Sequence, residues 1–148
     1  MSKDTASENT ARLQGSCLCG EVRYTFTKPF KLFQYCHCSR CRKVSGTVHG
    51  ANIFIFSDQF QWLAGEDKLT HYRFPDAKHF GSTFCKACGS AMPWITADTK
   101  TTIVPAGGVE SLDESPTQSI FWDSHADWYK EPSSLPAHAA LPERKPKA

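Results

Sequence analysis

The sequence predicts an all-β domain: several short strands stitched around metal-binding loops, with very little helix. Three observations carry that expectation. Short strand-like segments dominate, led by the period-two alternation of residues 22–27, helical periodicity is nearly absent, and seven cysteines fall into three tight groups.

Taken in order, Val22, Tyr24 and Phe26 alternate with Arg23, Thr25 and Thr27, the pattern of a half-buried strand. Residues 52–56 read as a more buried strand. Segments 59–63 and 69–74 flank Ala64-Gly65-Glu66-Asp67, which predicts a hairpin. Further strands are expected at 79–84, 93–96, 101–105 and 118–122. The best short helix is 38–44, with Gly46 marking the turn beyond it, and a second helical turn is expected at 111–115. Trp94, Trp122 and Trp128, with Phe54, Phe56, Phe80, Phe84 and Tyr72, are expected to furnish the core or to wall a cleft. Gly107-Gly108 lacks the strand–turn–helix setting of a nucleotide-binding loop and reads as a simple turn.

At 148 residues the chain fits one domain. Residues 1–13 read as a disordered lead, 14–131 as the zinc-binding domain, and 132–148 as a Pro-rich tail carrying Pro132, Pro136, Pro142 and Pro146. No apolar run approaches membrane-span length, and the polar N-terminus has no signal-peptide core, so a cytoplasmic location without membrane contact is expected. The net charge of +2 and pI near 8.2 give no footprint for nucleic acid.

A cytosolic environment keeps thiols reduced, so dense cysteine spacing there points to metal binding, and an odd count would strand one thiol in any disulfide scheme. Cys17-Leu18-Cys19-Gly20 is a CxC, Cys36-His37-Cys38-Ser39-Arg40-Cys41 a CxCxxC, and Cys85-Lys86-Ala87-Cys88-Gly89 a CxxCG of zinc-knuckle type. A closed structural zinc takes four ligands, and Cys17 and Cys19 can complete the pair Cys85 and Cys88. Cys36, Cys38 and Cys41 then remain, three ligands of the kind that leave a fourth position open for chemistry. Two alternatives stay open. His37, His49, His79 or His125 can close the second site, or Cys36 and Cys41 can join Cys85 and Cys88, which leaves Cys17, Cys19 and Cys38 unpaired.

The likeness extends beyond the cysteines. The opening Gly15-Ser16-Cys17-Leu18-Cys19-Gly20-Glu21-Val22-Arg23-Tyr24, the central His37-Cys38-Ser39-Arg40-Cys41-Arg42-Lys43-Val44-Ser45-Gly46, the third Phe84-Cys85-Lys86-Ala87-Cys88-Gly89-Ser90 and the closing Ile120-Phe121-Trp122-Asp123-Ser124 with Trp128 resemble the glutathione-dependent formaldehyde-activating enzyme family, which includes the centromere protein V group. The resemblance implies a β-tent fold with two zinc ions per chain. One is structural, on Cys17, Cys19, Cys85 and Cys88, and the other catalytic, on Cys36, Cys38 and Cys41. It implies a carbon–sulfur lyase that joins glutathione to formaldehyde as S-hydroxymethylglutathione.

Arg40, Arg42 and Lys43 are candidate partners for the glutathione carboxylates. His125, within Asp123-x-His125-x-Asp127, is the candidate catalytic acid/base. The partner is thus a small-molecule thiol and aldehyde. The competing classes are a non-catalytic zinc module that binds another macromolecule, and a thiol redox sensor built on the Cys36 triplet.

Overall fold

A computed structural model describes residues 11–147. The first half of the chain forms β1 (Arg12–Ser16), β2 (Arg23–Thr27), β3 (Leu32–Cys36), α1 (Ser39–Ser45), β4 (Gly50–Phe56) and β5 (Phe60–Ala64). The second half forms β6 (Leu69–Arg73), β7 (Gly81–Cys85), β8 (Ala91–Met92), β9 (Trp94–Ile95), β10 (Thr101–Pro105) and β11 (Gln118–Ile120). The protein is all-β, as its sequence predicts. The strands make three sheets, ordered β1-β2-β5, β11-β3-β4-β10-β9 and β6-β7-β8.

Alternation does the sorting. In β2, Tyr24 and Phe26 point into the core and are fully buried. Thr25 is also buried, and its hydroxyl donates to the Leu13 carbonyl at 2.8 Å, so its polar atom stays satisfied. In β4, Ile53 and Ile55 face inward while Phe54 is half-buried and Phe56 exposed. Val22, Phe33, Met92 and Val104 complete this core, and Cys17 and Cys85 lie within it. Burying each such aliphatic or aromatic side chain contributes about 1.5–3 kcal/mol.

Several expectations are corrected by these pairings. Strands β5 and β6 do not form a hairpin: β5 pairs with β2, and β6 pairs with β7 in another sheet. Gly65 looks like a hairpin glycine but serves a close approach. A Cβ there would lie 2.2 Å from the Glu21 carbonyl oxygen, and its φ is +79°. Residues 111–115 form no helical turn. Of the aromatics expected inside, none is fully buried: Phe56 and Tyr72 are exposed on β4 and β6, and Trp122 and Trp128 are exposed beyond β11, outside any strand. Strands β1 and β3 were not expected. Arg12 and Leu13 pair with Thr27 and Phe26, so the sheet takes in two residues assigned by sequence to the lead. Residues 1–10 lie outside the described part of the chain. Residues 132–147 are exposed and carry neither strand nor α-helix.

Candidate metal centres

The first sulfur cluster is built where two sheets meet. Cys17 follows β1 and Cys85 ends β7, so the four sulfurs of Cys17, Cys19, Cys85 and Cys88, all within 4.8 Å of one another, join β1-β2-β5 to β6-β7-β8. The two loops are folded alike. Each turns through a glycine in the left-handed region, Gly20 at φ +79° and Gly89 at φ +78°. The Gly20 N–H donates to the Cys17 carbonyl at 3.1 Å, and the Gly89 N–H to the Cys85 carbonyl at 2.7 Å. The Val22 N–H points at the Cys17 sulfur at 3.3 Å, and the Leu18 N–H reaches across to the Ser90 hydroxyl at 2.9 Å.

The donor set fits zinc. Zinc–sulfur bonds of about 2.3 Å in a tetrahedron place sulfurs about 3.8 Å apart. The Cys17–Cys19 separation is 3.5 Å and the Cys19–Cys85 separation 3.9 Å. Thiols so crowded do not ionise together unaided. The Ser90 hydroxyl, then the amides of Cys19 and Ser90, bring Cys88 down to about 5. The Glu21 amide favours the Cys19 thiolate, but the Cys17 sulfur, burial and the remaining sulfurs outweigh it and push Cys19 up to about 12.

The second cluster is local. Cys36 ends β3, opposite Gly50 of β4 and Ile120 of β11. The chain then turns into α1, with Cys38 as its N-cap and its sulfur accepting from the Cys41 N–H at 3.4 Å. Gly46, at φ +69°, ends the helix by donating its N–H to the Arg42 carbonyl. Gly50 of β4 lies against Cys41 of α1: a Cβ there would sit 3.5 Å from the Cys41 Cβ, an ordinary packing distance. The sulfurs of Cys36, Cys38 and Cys41 all lie within 4.8 Å of one another. Among the described residues no histidine or carboxylate joins either group at that distance. The partition that would move Cys36 and Cys41 to the CxxCG is therefore not the one the fold makes.

The histidines are placed otherwise. His37 is buried in an aromatic box, its ring 5.0 Å from those of His49 and Trp122 and 5.6 Å from that of Tyr129. Its Nδ1 has no hydrogen-bond partner among the described residues. His49 stacks on Tyr35 at 4.0 Å and donates from Nδ1 to the Gly50 carbonyl. His125 stacks on Trp122 at 4.3 Å, and its Nδ1 faces the Trp122 carbonyl. Trp122 in turn packs edge-on against His37, while Asp123 and Asp127 are exposed and His79 is exposed elsewhere. Among the expected basic partners, Arg40 lies over the Phe74 ring at 4.6 Å, and Lys43 is exposed. Tyr35 and Tyr129, which pack on His49 and His37, carry no signal in the sequence because they come from β3 and a segment beyond β11, far apart in the chain.

Beside Cys41 a cavity of about 270 Å³ opens between α1, β4 and the short strands β8 and β9. Phe80 and Trp94, two of the aromatics named as alternative cleft walls, line it.

With this geometry in place, a family model described as glutathione-dependent formaldehyde-activating enzyme matches residues 12–124. The chain belongs to that family. A Halomonas elongata protein provisionally named a glutathione-dependent formaldehyde-activating enzyme is 34% identical over 99 residues, 56% of this chain. The match spans 55% of that relative, so the chain corresponds to about half of its length. A crystal structure of a Rhodobacter sphaeroides protein superposes with a TM-score of 0.57 at 20% identity, covering 72% of this chain and 98% of that one, a likeness of fold alone. Both sulfur clusters fall inside the family match. No helix among the described residues is long and apolar enough to cross a membrane.

Proposed function

We propose that this chain is a zinc-dependent carbon–sulfur lyase that adds a thiol to a carbonyl compound and reverses that addition, with glutathione and formaldehyde as the first pair to test. The observation that carries the reading is the Cys36, Cys38 and Cys41 cluster: three convergent sulfurs beside a cavity, joined by no other ligating side chain among the described residues. All-sulfur ligation suits zinc. When bound there, zinc supplies an electrophilic position able to hold a thiolate or polarise a carbonyl oxygen.

In the forward direction the thiol loses its proton, its sulfur forms a bond to the carbonyl carbon, and the carbonyl π pair takes up a proton on oxygen. The product is a hydroxyalkyl thioether. An unperturbed thiol, with a pKa near 8.5, is mostly protonated at neutral pH, so ionising it is the obstacle. Arg40, Arg42 and Lys43 are the proposed partners of the carboxylates of the thiol substrate. His125 is the proposed proton carrier. With Nδ1–H donated to the Trp122 carbonyl, its Nε2 stays free to exchange a proton. Cys17, Cys19, Cys85 and Cys88 are the proposed seat of a structural zinc. A cytoplasmic location, and a partner list without nucleic acid or membrane, belong to the same reading.

The test follows ¹³C-formaldehyde and glutathione by NMR with zinc-loaded protein. S-hydroxymethylglutathione should form faster than in buffer, and Cys38→Ser should abolish the acceleration. The buffer rate with the loaded wild type would overturn the reading in favour of a binding module or redox sensor. His125→Ala should leave the zinc content intact and lower turnover at least about tenfold. Unchanged turnover would remove His125 from the mechanism.

A further inference from the structure

We infer that the cavity beside Cys41 binds an apolar group on the carbonyl partner, so that the preferred substrate is an aldehyde with an alkyl or aryl group of about six carbons and not formaldehyde. The inference rests on the thiol–carbonyl reading above and specifies its substrate.

Helical spacing explains how the cavity meets the cluster. In α1, Cys41, Val44 and Ser45 stand at i, i+3 and i+4 and share one face. All three line the cavity, so the residue whose sulfur belongs to the cluster also forms its wall. Arg40 precedes those positions and Arg42 and Lys43 fall between them, and none of the three lines the cavity. The opposite walls are Phe80, Met92 and Trp94, with Ala51 beneath. Cys41 is its sole ionisable lining residue among the described residues; the polar members are uncharged serines, threonines and Asn52.

Size and chemistry then choose the occupant. An apolar cavity of about 150 Å³ accepts benzene. This one, at about 270 Å³, exceeds that, whereas formaldehyde has only two heavy atoms and leaves most of it to water. A tripeptide thiol with two carboxylates finds no cation on these walls, and burying an unpaired carboxylate is prohibitive. The apolar volume therefore suits the carbonyl side of the adduct. A wider cleft of about 570 Å³ beside Cys17 and Leu18 is more open and belongs to the other cluster.

Met92 gives a readout independent of turnover. It is one of two methionines, the other being Met1, and it is 1% exposed in the cavity wall. With ¹³C-methyl methionine, benzaldehyde should shift the Met92 resonance saturably, and formaldehyde should not. With glutathione held fixed, kcat/KM should rise about two- to fourfold per methylene from acetaldehyde to about hexanal and then level off. Val44→Trp, on the half-exposed face of α1, should cut the hexanal-to-acetaldehyde ratio at least about tenfold. Formaldehyde turnover without a chain-length gain and without a Met92 shift would overturn the inference and leave the lyase reading standing. A saturable Met92 shift with no turnover of any aldehyde would keep the apolar site and overturn the lyase reading instead.

Discussion

Cys17, Cys19, Cys85 and Cys88 meet across a sequence gap of 66 residues, whereas Cys36, Cys38 and Cys41 run from the last residue of β3 into the first turn of the seven-residue helix α1. Closing the longer loop costs about 2 kcal/mol more chain entropy than closing the short one. The long-range cluster ties two sheets together, so metal bound there becomes folding free energy. The local cluster is organised by its own backbone: the Cys38 cap and the Gly46 stop of α1. The lesson is a division of labour. On the proposed reading, the four cysteines that meet across the sequence act as a clamp and the three local ones as a reaction centre.

The largest effect should come from breaking the clamp. Cys85→Ser removes a fully buried sulfur, the proposed zinc ligand between the sheets, and we expect it to lower Tm by about 10 °C or more in thermal unfolding with zinc present. A shift of only a degree or two would mean that the sheets hold without metal. Gly15→Ala comes next. Its Cβ would fall 2.3 Å from the ring of Tyr24, which is fully buried and has nowhere to move. Overpacking of this kind costs about 1–3 kcal/mol. Because Gly15 leads directly into Cys17, zinc should be lost from the first cluster more readily during a chelator titration while the second holds. Equal loss from both would erase the distinction.

Tyr24→Phe should have the smallest effect, lying outside both clusters. The Tyr24 hydroxyl is buried with no partner among the described residues, and burial holds its pKa above the ordinary tyrosine range. Removing it should leave stability unchanged or raise it by about 1 kcal/mol in denaturant unfolding. A loss of that size would reveal a partner to the hydroxyl.

Much of this was legible in sequence because cysteine spacing is a local signal with few competing uses. The fold class followed from the alternation of residues 22–27 in β2 and the short apolar run of 53–56 in β4. What stayed hidden depends on contacts between distant segments. Gly65 carries a turn signal, yet only the Glu21 carbonyl pressed against it shows that β5 belongs beside β2. His125 stacks on Trp122, which packs on His37, a chain of rings that its Asp-x-His-x-Asp motif does not announce. The cavity draws its walls from α1, β4, β7, β8 and β9, and no single stretch carries its pattern.

The most direct test of two centres with separate duties is native mass spectrometry of the zinc content, paired with thermal unfolding, for wild type and Cys38→Ser. The account predicts two zinc ions falling to one, with Tm lowered by no more than about 3 °C. One zinc ion in both proteins, or a loss of stability in Cys38→Ser as large as that in Cys85→Ser, would contradict it.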